Sequence, residues 1–310
     1  MTKRVTPSIS VVIPLFNKAD FVEEAIASVQ KQSLPAAEII VIDDGSTDGS
    51  AACVERLAVP QLRLIRQRNA GVASARNCGI QEAKGDIVAF LDADDRYLPG
   101  FIAAIHGLAA DFPQAGLLGT AYRRFWDDGR FASNPLHKSI TLRRGLVPNF
   151  YTAWCRSAFT STSSLAARRA VFSEPSQRFP VGEKLGEDQD LWFRIAERYP
   201  VAFDPAVCAE YRMGVPASAT TSSSVQILLP CYIRLSERLE RGDVPEFLQS
   251  GARRLLASHL LNVARARLVS GDIRGAWQMA ADSRAAGNTF YRLRTGFLIA
   301  VAAMRCGGLK

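Results

Sequence analysis

Three carboxylates lie within four residues at the end of an apolar run. Residues 87–91 have the character of a buried strand, and Asp92, Asp94 and Asp95 follow it. A divalent cation such as Mg²⁺ or Mn²⁺ can hold such repelling groups together, because it prefers oxygen ligands from carboxylates and substrate phosphates. The alternative is a solvated acidic turn in which Asp95 caps a following helix.

Two earlier apolar runs also end in polar loops. Residues 38–42 lead into Asp43 and Asp44, and residues 9–13 lead through Pro14 and Phe16 into a helical stretch. Strand-like and helical runs alternate through the first hundred residues, which predicts a parallel sheet covered by helices. Three strands would therefore deliver polar groups from their carboxyl ends, and ligands bind at that edge of an open α/β sheet.

Five segments in order resemble the family 2 glycosyltransferases, which have the GT-A fold. They are SVVIPLFN at 10–17, VIDDGSTD at 41–48, NAG at 69–71 leading to ARN at 75–77, LDADD at 91–95 and GEDQDLWFR at 186–194. The resemblance implies an α/β, Rossmann-like fold with a mainly parallel sheet and helices on both faces. It also implies inverting transfer of a sugar from a nucleotide-diphosphate sugar to an acceptor hydroxyl, in surface polysaccharide or glycoconjugate synthesis.

The resemblance assigns donor-site roles to four aspartates. Asp94 matches the second acid of the family's Asp-x-Asp motif and would bind Mn²⁺ or Mg²⁺ directly. Asp92, the first acid, would face the ribose or reach the cation through water. Asp44 matches the acid that hydrogen-bonds the nucleobase, and Asp43 would orient its loop. Asp43 and Asp44 could instead cap a helix that begins near Ser46.

Four further positions complete the expected site. Pro14 and Phe16 would form the wall on which the base rests, and Arg76 matches a family position near the nucleotide. Asp188 falls in the register of the family's general base, which takes the proton of the acceptor hydroxyl. The alternatives are an exposed helical arginine at 76 and, at 188, an acidic helix start favoured by the macrodipole.

The sequence departs from the family pattern after Glu210-Tyr211-Arg212. Many relatives carry a histidine there that can bind the metal, whereas Met213 and Gly214 follow in this chain. The histidines at positions 106, 137 and 259 are all outside that register. We therefore expect a cation held by Asp94, phosphates and water, without a third protein ligand.

Composition narrows the function classes. With 48% hydrophobic and 22% charged residues the chain is expected to fold as a globular protein. Its six cysteines show neither metal-ligand spacing nor a disulfide framework, which favours reduced thiols in a cytoplasmic protein. The net charge of +8 suits phosphate-bearing substrates or an anionic membrane surface. Nucleic acid is not expected as a partner, because no nucleic-acid-binding motif accompanies the charge.

The domain organisation follows from changes in pattern along the chain. We assign residues 1–218 to the catalytic domain and 219–310 to a small helical appendage, joined through a Gly/Ser/Thr-rich linker at 214–224. Helical periodicity over 255–263 and 273–280, broken at Gly271-Asp272, resembles a tetratricopeptide-like hairpin. One such unit needs a further surface to pack on, either the catalytic domain, a partner or a second copy in a homo-oligomer.

The last segment is a basic, apolar tail. From Tyr291 to Arg305 an apolar stretch is flanked by cations, a pattern typical of a helix at an anionic bilayer surface. The protein would then touch the inner membrane surface peripherally, where a lipid-linked glycan could be the acceptor. Alternatively, the same apolar face packs into the helical appendage.

Two other functional interpretations remain open from the sequence. Haloacid-dehalogenase-type phosphatases also end a strand in Asp-x-Asp, but they usually carry Thr or Val where Arg96 lies. A non-catalytic GT-A scaffold protein is the other, and the intact acids at 92, 94 and 188 argue against it. Dinucleotide oxidoreduction is disfavoured, because no Gly-x-Gly-x-x-Gly follows the first predicted strand.

Overall fold

The computed structural model describes residues 6–133, 143–156, 158–215 and 226–307. The chain divides into two compact units, one of Met1–Pro148 with Ser157–Ser218 and the other of Asn149–Arg156 with Ala219–Lys310. Residues 149–156, which the sequence pattern grouped with the catalytic domain, thus belong to the helical unit. Most of the predicted linker, from residue 216 to 224, lies outside the described residues.

A single mixed sheet forms the centre of the first unit. Its described strands, numbered in chain order, are β1 Ile9–Leu15, β2 Glu38–Asp43, β3 Leu62–Arg66, β4 Ile87–Phe90, β5 Arg96–Tyr97, β6 Leu117–Phe125, β7 Phe131–Ser133, β8 Gly145–Leu146, β9 Leu165–Arg168 and β10 Val201–Arg212. The order across the sheet is β3-β2-β1-β4-β9-β6-β10-β5, with β7 on β6 and β8 on β10. Strands β3, β2, β1 and β4 run parallel, as do β6 and β10, while β9 runs antiparallel between β4 and β6.

Helices alternate with the parallel strands of this unit. They are α1 Val22–Gln30, α2 Ser50–Glu55, α3 Val72–Glu82, α4 Phe101–Asp111 and α6 Glu187–Arg198, with 3₁₀ turns at Thr162–Ser164 and Arg169–Ser173. The first turn of α6 carries Glu187, Asp188 and Asp190 and its last turn carries Arg198, an arrangement that complements the helix macrodipole. The α/β fold predicted from the sequence is confirmed.

Strands β1 and β4 are apolar along almost their whole length because both faces of the sheet are covered there. Every residue of β1 and of β4 is buried. Pro14 fits this arrangement. The Val12 carbonyl points towards β4 and accepts from the Leu91 amide, just beyond the end of that strand. The backbone nitrogen of Pro14, two residues later in β1, points to the same side. At that point β4 has ended, so the missing N–H of Pro14 removes no ladder hydrogen bond.

Helix α3 lies very close to β1. A Cβ atom added at Gly79 would lie 2.2 Å from Cγ1 of Val12, far inside the contact distance of real side chains. Val12 is fully buried, so it has little room to move aside. The glycine therefore lets α3 approach the sheet, and Arg76 lies on this helix one turn earlier.

A buried aromatic cluster joins β4 to α6. The ring of Phe90, the last residue of β4, lies 5.5 Å from the rings of both Phe179 and Trp192, and these two rings are also 5.5 Å apart. All three contacts are edge-on, the geometry that aromatic rings prefer. The strand that ends at the acidic motif and the helix that carries Asp188 are thus fixed to each other.

The second unit is helical. It contains α5 Phe150–Arg156, α7 Pro230–Arg241, α8 Glu246–Val269, α9 Ile273–Ala281, a 3₁₀ turn at Ser283–Asn288 and α10 Thr289–Gly307. The two periodic stretches of the expected hairpin lie in α8 and α9. Between these helices Gly271 adopts a positive φ of 87°, and Asp272 caps α9 by accepting from the Gly275 amide at 2.8 Å. Among the helices that the structure describes, none is both long and apolar enough to cross a bilayer.

Candidate active site

The loops that follow β1 and β2 are hydrogen-bonded to each other at the carboxyl edge of the sheet. The Asn17 side-chain oxygen accepts from the Thr47 amide at 2.8 Å, and the Ser50 hydroxyl accepts from the Lys18 amide at 2.8 Å. Asn17 has a positive φ of 51°, a region that asparagine tolerates better than most residues. These bonds hold the loop between β1 and α1 against the loop that leads into α2.

Asp44, which follows β2, connects the end of that strand to the loop before α3 through three hydrogen bonds. Its Oδ1 accepts from the Gln67 side chain at 2.7 Å and the Ala70 amide at 2.9 Å, and its Oδ2 accepts from the Gly71 amide at 2.8 Å. A carboxylate has about four acceptor positions, so one remains for a ligand. The carboxyl group is otherwise almost fully buried.

Asp43 has a local role in the same loop. Its Oδ1 accepts from the Ser46 amide at 3.0 Å and closes the turn after β2. The alternative in which Asp43 or Asp44 caps the next helix is wrong, because α2 begins only at Ser50 and has Gly49 at its N-cap.

Pro14 and Phe16 differ in what they offer a ligand. Pro14 is buried within β1, whereas the Phe16 side chain is 45% exposed just past the end of the strand. Phe16 can therefore stack against a planar group, whereas Pro14 lies inside the strand.

The three acids after β4 have three different environments. Asp94 is paired through Oδ2 with the Lys18 ammonium at 2.8 Å, and its side chain is 19% exposed. Asp92, 26% exposed, accepts from the Arg76 guanidinium at 2.7 Å. Asp95 is buried and accepts from the Ser163 hydroxyl and the Arg212 amide.

Asp95 does not cap a helix, so that alternative is wrong. The next helix, α4, begins at Phe101 and has Gly100 at its N-cap. Burial, together with the neighbouring charges of Asp92 and Asp94, raises the pKa of Asp95 well above its usual range. Asp95 is therefore buried and accepts hydrogen bonds from the protein, whereas Asp92 and Asp94 are partly exposed.

Arg76 is buried rather than exposed on its helix. Its guanidinium donates to Oδ1 of Asp92 at 2.7 Å and to Oε1 of Glu187 at 2.9 Å, and its Cζ lies 5.3 Å from the centre of the Phe179 ring. Burial alone would lower the pKa of Arg76, but the attraction of Asp92 and Glu187 outweighs it and raises that pKa. Its Nε is buried and has no hydrogen-bond partner within the described residues. Arg76 thus links the acidic motif after β4 to the start of α6.

Asp188 is held by the 3₁₀ turn at Thr162–Ser164. The Thr162 hydroxyl donates to Oδ2 of Asp188 at 2.9 Å, and the next residue, Ser163, accepts from the Asp92 amide at 3.1 Å while donating to Asp95. One short turn therefore contacts both acidic segments. Its Ser/Thr-rich composition was the signal in the sequence, although the partners of these hydroxyls could not be read from it.

Glu187 interacts with two charged groups, the Arg76 guanidinium and the neighbouring Asp188 carboxylate. Burial, followed by the charge of Asp188, raises the pKa of Glu187 to about 7, and the Arg76 ion pair opposes that rise. Near neutral pH this group can therefore gain or lose a proton beside Asp188.

Two basic residues that the sequence did not single out contact the acidic motif. Lys18 pairs with Asp94, as described above. Arg212 donates from Nε to the Asp94 carbonyl at 2.8 Å and from its amide to Asp95, and it forms ion pairs with Glu24 and Asp127. Arg212 immediately precedes the segment where many relatives carry the metal-binding histidine. The departure from the family pattern there was the feature of the sequence that pointed to this position.

The residues present suit a cation that is bound mainly by its ligands. Within the described part of the chain, no three His, Cys, Asp or Glu side chains are arranged to hold a metal. Asp94 nevertheless offers carboxylate oxygens beside a second acid, Asp92. Mg²⁺ typically takes one or two carboxylates together with substrate phosphates and water, and this donor set fits that mode.

Comparison with known proteins identifies relatives of the first unit. Residues 10–174 match the family model described as glycosyl transferase family 2. The uncharacterized glycosyltransferase YibD of Escherichia coli is 42% identical over 108 residues, which are 34% of this chain and 31% of YibD. The uncharacterized glycosyltransferase alr2836 of Nostoc is 33% identical over 188 residues, 58% of this chain and 56% of alr2836. The alignments therefore span about a third to a half of these relatives.

Solved structures share the fold at low sequence identity. TarS residues 1–349 of S. aureus, crystallised with UDP-GlcNAc, align over 97% of this chain and 92% of the TarS chain with a TM-score of 0.67 and 17% identity. The mannosyltransferase PcManGT of Pyrobaculum calidifontis, in complex with GDP-Man and Mn²⁺, aligns over 97% of this chain and 87% of its own with a TM-score of 0.65 and 21% identity.

Proposed function

Because the chain belongs to glycosyl transferase family 2, we propose that it is an inverting, metal-dependent glycosyltransferase that moves a sugar from a nucleotide-diphosphate sugar to an acceptor hydroxyl. The observation that carries this proposal is the link formed by Arg76. It joins Asp92, a candidate donor-site acid, to Glu187, the neighbour of the candidate base Asp188, through hydrogen bonds of 2.7 and 2.9 Å.

The donor site is built from the carboxyl ends of β1, β2 and β4. The nucleobase stacks on the exposed ring of Phe16 and hydrogen-bonds to the remaining acceptor position of Asp44, with Asp43 holding that loop. Asp92 faces the ribose, and Asp94 lies on the side of the diphosphate. The complexes of TarS with UDP-GlcNAc and of PcManGT with GDP-Man support a nucleotide sugar as the donor.

The diphosphate requires neutralisation as it leaves. Asp94 would hold Mn²⁺ or Mg²⁺ together with the phosphates, and a bound cation of this kind offsets the negative charge that develops on a leaving diphosphate. Lys18, whose ammonium is 2.8 Å from Asp94, adds a second positive charge at the same place.

The transfer step uses Asp188 as general base. The acceptor hydroxyl oxygen forms a bond to the anomeric carbon, its proton passes to Asp188, and the bond to the diphosphate oxygen breaks with inversion at that carbon. Thr162 orients the base by donating to its Oδ2 at 2.9 Å. A protonated Glu187 would lessen the charge repulsion beside the Asp188 carboxylate.

We place this activity in surface polysaccharide or glycoconjugate synthesis, with a glycan or a lipid-linked saccharide as acceptor. A cytoplasmic setting is supported by the cysteines, since Cys53, Cys78, Cys155 and Cys208 are free thiols.

The deciding experiment is a donor screen. The full chain is incubated with UDP-, GDP- and dTDP-linked sugars and Mn²⁺, release of the nucleoside diphosphate is measured, and NMR of the product reports the anomeric configuration. One donor should be turned over, with inversion. Phosphate release from a simple phosphate ester without nucleotide would favour the phosphatase alternative, and donor binding without any turnover would favour the scaffold.

A further inference from the structure

Helix α10 presents large apolar side chains to solvent. Phe290, Leu293, Phe297 and Met304 are 78%, 70%, 68% and 68% exposed. Their spacings of three, four and seven residues place them on one side of an α-helix. We refer to these four residues as the α10 outer stripe. Contiguous apolar surface of this kind marks an interaction site more often than isolated exposed side chains do.

The opposite side of α10 is attached to its own unit. Thr295 and Ile299 are fully buried. Arg292 donates from Nε to the Ala280 carbonyl at 3.0 Å, and the Tyr291 hydroxyl donates to Oδ1 of Asn262 at 2.8 Å. These contacts with α8 and α9 fix the rotation of the helix, so the outer stripe is the side that the unit leaves uncovered.

The charge carried by α10 itself has a single sign. From residue 289 to the end of the sequence there are four basic residues, Arg292, Arg294, Arg305 and Lys310, and no Asp or Glu. Arg294 is exposed and lies one turn from both Phe290 and Phe297. An apolar stripe bordered by cations matches a surface that is negatively charged at its boundary and apolar beneath it.

We propose that the α10 outer stripe binds the surface of an anionic lipid bilayer, with the helix lying in the interface plane. The apolar side chains enter the acyl boundary while Arg294 contacts the headgroups. Pairing of the stripe with that of a second copy is disfavoured, because α10 would bring Arg294 of each copy to the contact and carries no acid of its own to offset that charge. This surface goes beyond the glycosyl transfer proposed above and does not depend on it.

The test is co-sedimentation of the full chain with vesicles. Vesicles of phosphatidylglycerol and phosphatidylcholine are compared with vesicles of phosphatidylcholine alone. Wild-type protein should bind the anionic vesicles, and the variant Phe290→Ser/Leu293→Ser/Phe297→Ser should lose about tenfold or more of that binding. Arg294→Gln should weaken it less and reduce its dependence on salt.

A matched control lies in the same unit. Phe247→Ser in α8 removes an equally exposed phenylalanine, 68% exposed, outside the outer stripe, and should bind vesicles as the wild type does. Circular dichroism of every variant checks that the helices remain. Equal vesicle binding by wild type and the triple variant would overturn the proposal. So would wild-type dimers that bind no vesicles and become monomers in the triple variant.

Discussion

The Arg76 guanidinium lies 2.9 Å from the Glu187 carboxylate, although 111 positions separate the two residues in the chain. The same guanidinium reaches Asp92 at 2.7 Å, so one side chain contacts both acidic segments of the candidate site. Removing one member of a buried ion pair leaves an uncompensated charge and is strongly unfavourable. The relative placement of the acidic motif and of α6 therefore depends on Arg76 in addition to the aromatic cluster that joins β4 to α6.

Replacing Arg76 tests this dependence. Arg76→Lys keeps the charge but lacks the planar fork that reaches two carboxylates at once. We expect kcat to fall by roughly 10²-fold, since a misplacement of about 1 Å can cost that much. Arg66→Lys, at an exposed ion pair with Glu55, is the matched control and should keep full turnover. Unchanged kcat in Arg76→Lys would show that the link has no part in catalysis.

Asp188→Asn removes the basicity of the proposed base and keeps its shape. Turnover should fall by roughly 10²–10⁴-fold, with little change in donor affinity. Steady-state kinetics and donor titration by calorimetry separate the two effects. If donor affinity is lost while single-turnover chemistry survives, Asp188 belongs to the donor site and is not the base.

Asp94→Ala should abolish the effect of Mn²⁺ on donor binding. The side chain is partly exposed and its ion pair with Lys18 lies at the surface of the site, so the fold should remain intact. Calorimetric titration with nucleoside diphosphate, with and without Mn²⁺, reads this directly. Full turnover of the variant in the presence of a chelator would contradict the role assigned to Asp94.

Glu187 should make the stability of the protein depend on pH. Its pKa is raised from 4.5 to about 7, so between these values the folded state binds more protons than the unfolded chain. The stability that this group contributes is present at low pH and is lost as pH rises from about 4.5 to about 7, by up to about 3 kcal/mol.

Denaturant unfolding at pH 5 and pH 8 measures the effect. Glu187→Gln, which keeps an acceptor for Arg76, should show a smaller loss between the two pH values than the wild type. Glu55→Gln, at an exposed site, serves as the control and should follow the wild type. An equal loss in wild type and Glu187→Gln would assign the pH dependence to other groups.

The sheet and the position of its acids were predictable from the sequence because both depend on local pattern. The apolar runs that became β1, β2 and β4 are buried on both faces, and their polar ends are adjacent in the chain to the strands that place them. The acids at the start of α6 were also predictable from local pattern, because the helix dipole favours negative charge at the N-terminus of a helix.

The contacts that organise the site could not be predicted in this way. The partners of Arg76, Thr162 and Lys18 are brought to them by the packing of distant segments, and a side chain of any of these types is usually exposed. The assignment of residues 149–156 failed for a related reason, since this segment is separated from α8 by almost a hundred residues and only tertiary packing associates it with the helical unit.

Because Gly79 has no side chain, α3 packs directly on Val12, and this apolar contact sets the position of Arg76 in the polar site. A methyl group there would overlap Val12, so Gly79→Ala must push α3 outward and carry Arg76 away from both carboxylates. We expect turnover to fall although every polar residue is unchanged, and adding Val12→Ala should restore part of it by returning the lost volume. Changes in side-chain size at positions 12 and 79 can thus alter the catalytic rate without any change in a polar residue. A search for substitutions that tune activity should include these two positions.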